Sequence, residues 1–282
     1  MTVPYAEVIG DPIAHSKSPL IHRFWLDRLG LERDYRPRLV APLDLADFVA
    51  GASPDPDWLG CNVTAPHKQA VVPLLTSLSA EARAIGAVNI IRREGAALVG
   101  GNSDGQGFLE PLRTLLAQPH LFRMARIFGT GGAARAIAHS LARHGFTLVV
   151  AAREFAKAEG LLAGIGGEHH AAPLSHFASP TDFPFDDRKG VLDLVVNATP
   201  LGMDGQPPLH LDWSHVPPGS IICDIVYSPL ETPLLAEARA RGHRIIDGLH
   251  MLIGQAAVAF EIFFGQPAPR QHDAELRALL TS

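Results

Sequence analysis

Apolar and polar positions along the chain fall into short blocks, and the period of the blocks switches repeatedly. YAEVIG (5–10) reads as a short strand. SPLIHRFWLDRLG (18–30) places Leu20, Ile21, Phe24, Trp25 and Leu29 at helical spacing and ends on Gly30. DYRPRLV (34–40) and WLGCNV (58–63) read as strands, with a short helix, DLADFVAGA (44–52), between them. HKQAVVPLL (67–75) begins a further helix, and AVNIIRREGAALVGGN (87–102) has the pattern of a hairpin turning near Glu94 and Gly95. Such alternation predicts a mostly parallel α/β sheet.

A second series follows. MARIFG (124–129) is predicted as a strand and GGAARAIAHSLARHG (131–145) as a helix. TLVVAA (147–152), LDLVVNA (192–198), SIICDIV (220–226) and HRIID (243–247) are apolar and β-branched, which suits strands covered on both faces. The final helical stretch, GLHMLIGQAAVAFEIFFG (248–265), is too apolar to stand alone. Two Pro-rich stretches, GASPDPDW (51–58) and SPTDFPFDDRKG (179–190), read as surface loops, and no repeat at solenoid spacing is present.

Length and composition narrow the setting. A chain of 282 residues favours two domains, and 47% hydrophobic with 19% charged residues is a globular balance. The net charge of −5 argues against nucleic acid or an anionic membrane as the main partner. Cys61 and Cys223, with no CxxC spacing, do not make a disulfide framework, so a reduced cytoplasm is the expected setting. The first residues carry no signal-peptide pattern, and no apolar run reaches the roughly 18 to 20 residues that span a bilayer. The 14 histidines form no HExxH or Cys/His pattern, and His169–His170 reads as a loop pair, so no metal site is expected.

RIFGTGGAARAIA (126–138) carries the first chemical signal. Gly129, Gly131 and Ala134 fill a GxGxxA pattern between a predicted strand and a predicted helix, the context of a dinucleotide-binding turn. Glycine at 129 allows the tight turn, and glycine at 131 lets the backbone approach a pyrophosphate. The helix N-terminus then offers free N–H groups. The next strand ends at Ala152 with no acid to grip a ribose 2′-hydroxyl, and Arg153 follows. A guanidinium there favours a 2′-phosphate, hence NADP; Glu154 and Lys157 keep NAD open.

The second signal lies in the first half. HSKSP (15–19), NVTAPHK (62–68), AVN (87–89) and GGNSDG (100–105) place small polar residues where strands end. Ser16, Ser18, Asn62, Thr64, Asn89 and Asp104 would thus line a crevice suited to a polyhydroxylated, singly acidic small molecule. Taken singly, each has a plainer role as a helix cap or turn residue. Lys68 follows such a turn. Moving a hydride onto a carbonyl leaves an alkoxide that needs a proton, which a lysine ammonium supplies, with Asp104 as the carboxylate to hold it.

With these motifs in order, the chain resembles the shikimate/quinate dehydrogenase family over nearly its full length. SKSP (16–19), NVTAPHK, AVN, GNSDG, GTGGAARA (129–136), NATPLGM (197–203), DIVYSPLETPLL (224–235) and DGLHMLIGQAA (247–257) carry the resemblance. It implies an α/β chain in two parts. A mostly parallel substrate domain, 1–104, is completed by 248–282, and a Rossmann-type dinucleotide domain, 105–247, is inserted between. It implies reversible, NADP-linked reduction of 3-dehydroshikimate to shikimate, a step toward the aromatic amino acids. Lys68 and Asp104 match the catalytic pair, and Ser16 and Ser18 the groups holding the substrate carboxylate. Asn62, Thr64, Asn89, Gln255 and Tyr227 match substrate-site positions. Gly129, Thr130, Gly131, Gly132, Ala133, Arg153, Asn197, Thr199, Met203 and Gly248 match cofactor positions. A monomer or homodimer is expected. An NAD-using quinate enzyme, or a shikimate-binding sensor without turnover, are the competing expectations.

Overall fold

Pleated apolar runs in the first third of the chain pair into one six-stranded sheet. Its strands are β1 (Tyr5–Gly10), β2 (Asp34–Leu39), β3 (Trp58–Val63), β4 (Ser77–Leu78), β5 (Ile90–Glu94) and β6 (Ala97–Gly101), in the order β2-β1-β3-β5-β6-β4. The computed structural model describes all residues except 1–2, 53–54, 184 and 186–187. Those residues of the two Pro-rich stretches expected as loops therefore lie outside the described residues. Three of the five pairings are parallel; the β3–β5 and β5–β6 pairings are antiparallel, because β5 and β6 form a hairpin turning at Gly95 and Ala96. Gly95 has a φ of 62°, which a residue without Cβ adopts freely.

The chain divides into two compact units. The first comprises Met1–Gly107 and Leu252–Ser282, and the second Phe108–Met251. Both divisions fall inside helices, Asp104–Leu109 and Gly248–Phe264, rather than at the motif edges 104/105 and 247/248. In the first unit Ile9, Trp58, Cys61, Val63 and Ile91 pack with Phe48 and Val71 into one apolar core. Full burial of such a side chain contributes about 1.5–3 kcal/mol, against about 0–1 kcal/mol for an exposed ion pair such as Arg36–Asp34. Packing, not surface charge, holds this sheet.

Helix Ser18–Leu29 buries a stripe rotated from the expected one. Ser18, Ile21, His22, Trp25 and Leu26 face inward, while Leu20 and Leu29 are exposed. The inward set follows the i, i+3, i+4, i+7, i+8 rule, with the His22 imidazole as one of its members. HKQAVVPLL forms one helical turn, His67–Ala70, then a 3-10 turn, Val72–Leu74. Pro73 explains the break, since it has no N–H and its ring clashes with the carbonyl one turn back.

The second unit contains β7 (Phe122–Phe128), β8 (Thr147–Ala152), β9 (His170–Pro173), β10 (Val191–Asn197), β11 (Ile221–Asp224) and β12 (Arg244–Ile246). All pairings are parallel, in the order β12-β11-β10-β7-β8-β9. Counted from β7 this is the doubly wound 3-2-1-4-5-6 arrangement, with β7 beside the point where strand order reverses. Apolar clusters cover the sheet, one around Ile127, Leu148 and Val196, the other around Phe128, Val195 and Ile222. His170 opens β9, so only His169 of the expected loop pair lies in a loop. Pro173 ends β9 on the sheet's edge, where a missing N–H is tolerated.

Candidate active site

One edge of the first sheet gathers the polar motifs. β1, β3 and β6 end there, and antiparallel β5 begins there, so the loops carrying Ser16, Thr64, Asn89 and Asp104 emerge on the same side. Asn62, the penultimate residue of β3, pairs with Ile90, which pairs in turn with Gly101. Register alone thus brings three motifs into one row.

The lysine turn is anchored on both sides. His67 is buried, and its Nε2 donates to the Val40 carbonyl at 2.7 Å. The backbone carbonyl of Lys68 accepts from Val88 N at 2.7 Å. From this turn Lys68 Nζ reaches Asp104 Oδ2 at 2.6 Å, with the lysine side chain 17% exposed and the carboxylate 3%. A charge-assisted bond in so sheltered a place is short and directional. Asp104 is positioned in turn: its other oxygen, Oδ1, accepts from Asn89 Nδ2 at 2.9 Å, and its backbone N–H donates to Asn102 Oδ1.

Asn89 is the hub of the cluster. Its Nδ2 lies within hydrogen-bonding distance of Asp104 Oδ1, Ser103 Oγ and, more distantly, Gln255 Oε1 at 3.4 Å. Its Oδ1 accepts from Ser103 N. Ser103 Oγ also donates to the backbone carbonyl of Gln255, which ties the long C-terminal helix to this edge. Asn102 and Ser103 belong to the same polar GGNSDG run but are not among the site residues expected from the sequence. Asn62 Nδ2 donates to the Asn89 carbonyl at 3.1 Å. Thr64 is half-buried, and its Cγ2 lies 2.4 Å from where a Cβ on Gly10 would be, so Gly10 must be glycine for Thr64 to sit there.

Ser16 and Ser18 follow β1. Ser18 N donates to Ser16 Oγ at 3.3 Å, and among the described residues no hydrogen bond joins the two serines to the Lys68 cluster. Lys17, between them, donates to the Leu280 carbonyl, so the end of the last helix, Asp273–Thr281, braces the serine loop.

The glycine loop of the second unit fits a dinucleotide pyrophosphate. Gly129 follows β7 with a φ of 114°, and a Cβ there would meet the Ala198 carbonyl oxygen at 2.7 Å. Gly131 differs: a Cβ built on it meets nothing within 4 Å, so its backbone faces open space. Helix Gly132–Arg143 starts there without a side-chain cap, leaving its first N–H groups for an anion. Thr130, Gly132 and Ala133 line the same turn half-buried, and Ala134 is fully buried against the sheet.

Asn197 behaves differently from the expected cofactor contact. It is fully buried, and its Nδ2 donates to Asp224 Oδ1 and the Leu201 carbonyl, while its Oδ1 accepts from Thr199 N and Oγ1. Its amide is spent on shaping the 198–203 loop, and Thr199 and the exposed Met203 are what that loop presents. Asp224 also accepts from Thr232 Oγ1 and Val226 N; burial pushes its carboxyl up to about 6 against these bonds. Tyr227, next along, is half-buried, and burial pushes its phenol up. Gly248 is demanded by packing, since a Cβ would meet the carbonyl oxygens of Val226 and Ile225 at 2.4 and 2.5 Å. Arg153 is exposed just past β8, and Glu154 holds Lys157 at 2.6 Å on the same turn.

Comparison with known proteins bears on this arrangement. Residues 8–91 match the family model of the shikimate dehydrogenase substrate binding domain, and 248–275 that of the shikimate 5′-dehydrogenase C-terminal domain. The chain is 48% identical to the shikimate dehydrogenase (NADP(+)) of Sphingopyxis alaskensis, covering 99% of this chain and 97% of that protein. The chain belongs to the shikimate dehydrogenase family. Within that family it is similar to the solved Thermus thermophilus shikimate 5-dehydrogenase in complex with NADP(H) and shikimate, with a TM-score of 0.83 and 31% identity over 99% of this chain and 100% of that one. The Corynebacterium glutamicum quinate dehydrogenase in complex with NAD is similar too, with a TM-score of 0.80 and 29% identity over 98% and 99%. Among the described residues no cluster of three or more His, Cys, Asp or Glu is placed to hold a metal ion, and no helix is long and apolar enough to cross a membrane.

Proposed function

We propose that this chain is an NADP-dependent shikimate dehydrogenase, interconverting 3-dehydroshikimate and shikimate on the route to the aromatic amino acids. The observation that carries the reading is the sheltered Lys68–Asp104 pair, set among small polar side chains at one sheet edge. The unit containing both chain ends is the substrate domain and the inserted unit the cofactor domain. The enzyme works in the cytoplasm as a monomer or homodimer.

Each residue then has a task. Hydroxyls of Ser16 and Ser18 hold the substrate carboxylate, while Asn62, Thr64, Asn89, Gln255 and Tyr227 meet its hydroxyl-bearing ring. Gly129 to Ala133 cradle the pyrophosphate, Arg153 faces the 2′-phosphate, and Thr199 and Met203 flank the nicotinamide. Bound NADPH supplies the hydride. Lys68 Nζ gives a proton to the oxygen of the reduced carbonyl, and in the oxidative direction its free amine takes that proton back. Asp104 Oδ2 keeps Nζ aimed and offsets its charge; Asn89 keeps Asp104 from rotating.

The test crosses two substrates, shikimate and quinate, with two cofactors, NADP and NAD, in steady-state assays. Shikimate with NADP is expected to give the highest kcat/KM. Quinate with NAD outrunning it would replace this reading with the NAD-linked one, and binding without turnover in all four would make the protein a sensor. The Glu154–Lys157 pair favours some use of NAD, because Glu154 repels a 2′-phosphate and withholds a neighbouring cation. Glu154→Gln should tighten NADP relative to NAD by about threefold in a fluorescence titration, the scale of one exposed charge pair. An unchanged ratio would remove Glu154 from cofactor choice.

A further inference from the structure

Only one orientation of the Asn62 amide satisfies its neighbours. Its Nδ2 lies 3.1 Å from the carbonyl oxygen of Asn89, an atom that can only accept. Nδ2 must therefore face that carbonyl, and Oδ1 faces the phenol oxygen of Tyr35 at 2.6 Å. The phenol accordingly donates. The second Nδ2 hydrogen is the one polar hydrogen of this side chain without a protein acceptor among the described residues.

Tyr35 is fully buried and is itself held by a pile of rings. The His22 imidazole stacks on it with centroids 3.9 Å apart and planes 1° from parallel. Trp25 meets His22 edge-on, and Phe260 packs against both. Among the described residues neither nitrogen of His22 has a partner, so the imidazole serves as a flat plate rather than a hydrogen-bonding group. The pile joins three elements of the substrate site. Helix Ser18–Leu29 carries Ser18 one turn before His22, β2 carries Tyr35, and helix Gly248–Phe264 carries Gln255 shortly before Phe260.

We propose that Tyr35 is a positioning residue of the substrate site: its phenol bond, backed by the aromatic pile, joins the Asn89 carbonyl in holding the Asn62 amide so that an N–H, not the C=O, is turned to the substrate. The substrate oxygen met at Asn62 is then recognised as an acceptor. This rests on the assignment of Asn62 to the substrate site made above. Without the phenol the Asn89 bond alone would hold the amide, its tilt would loosen, and discrimination at that ring position would weaken.

The experiment is a double-mutant cycle on the full chain with Tyr35→Phe and Asn62→Ala. Tyr35→Phe should raise KM for shikimate about tenfold, the scale of one hydrogen bond, with kcat within about twofold. Added to Asn62→Ala, it should change KM no further. An unchanged KM in the parent background, or equal effects in both backgrounds, overturns the proposal. Parallel losses in kcat and thermal stability overturn it too, since they mark a merely structural role. Should the parent not oxidise shikimate at all, the proposed function fails instead, and the side-chain amide NMR signals of Asn62 still decide on Tyr35. One slowly exchanging pair in the parent, broadened or doubled by Tyr35→Phe, supports the lock; identical signals in both proteins exclude it.

Discussion

Replacing Lys68 with alanine is expected to lower turnover about a thousandfold while raising KM for shikimate only a few-fold. The magnitude follows from the role: a positioned general acid–base group contributes about 10²–10⁴ in rate. The direction of the split follows from where the lysine sits. Ser16 and Ser18 lie just before and at the start of helix Ser18–Leu29, apart from the helical turn that carries Lys68, so the groups assigned to the carboxylate survive the change. Asp104 would keep its Asn89 bond at 2.9 Å, so the loop carrying it should hold its place. The buried carboxylate would nonetheless lose its cation, and some loss of stability should accompany the loss of rate. Asp104→Asn is the complementary change: the lysine stays, its anionic partner goes, and kcat should fall with little change in NADP affinity. Steady-state rates with saturating NADP, alongside a binding titration for shikimate, measure all of this. Turnover of Lys68→Ala within about tenfold of the parent would mean that the proton travels by another route.

Why some features could be read from sequence while others could not comes down to period and distance along the chain. The strands of the inserted unit announce themselves as β-branched runs because both faces are covered, and the glycine loop is local, so its strand, turn and helix appear together. β4 has two residues and no period to detect. The helix after it, Ala80–Ile85, did carry a legible signature: Ser79 accepts from Ala82 N as its cap, and Gly86 closes it in the left-handed region. The buried stripe of helix Ser18–Leu29 is hard to read from sequence because Ser18 and His22, both polar residue types, belong to it. With its nitrogens unpaired and a tyrosine stacked on it, His22 is part of the core. The Lys68–Asp104 pair could be guessed from chemistry, but its bracing by Asn89, Ser103 and Gln255 joins residues up to 166 positions apart. Tyr35 was invisible for the same reason: nothing near DYRPRLV says that its phenol ends on Asn62. Asn197 shows the converse, a motif residue whose polar side-chain atoms are turned inward to build the loop that carries Thr199 and Met203.

Acidification should weaken the first unit through His22 and strengthen the second through Asp224. Burial without a partner pushes the His22 imidazole down to about 3 in the folded state, from an ordinary value of 6.5. Between those values the unfolded chain binds a proton that the folded chain does not, so stability falls as pH falls, by about 1.4 kcal/mol per pH unit. Two pH units below 6.5 the loss is about 3 kcal/mol, a large part of the 5–15 kcal/mol typical of a domain. The rings packed on His22, from Trp25, Tyr35, Phe260, Phe263 and Phe264, offer no carboxylate to offset its charge. Asp224 has the opposite sign. Its folded value near 6 lies above the ordinary 3.8, so the folded state holds the extra proton and stability falls as pH rises between them. Glu7, raised by burial in the first unit, acts in the same sense as Asp224 and partly masks His22. His22→Phe keeps a flat ring in the pile and removes the titration. Its first unit should therefore melt about 5–10 °C higher than the parent's at pH 4.5, with a smaller gain at pH 7. Asp224→Asn should flatten the response of the second unit between pH 4 and 6. Hydrogen exchange at amides of β3 and β10, followed across that range, reads the two units separately. If the parent and His22→Phe lost β3 protection at the same pH, the imidazole would have to be taking up its proton without leaving the folded state, and its isolation in the core would be wrong.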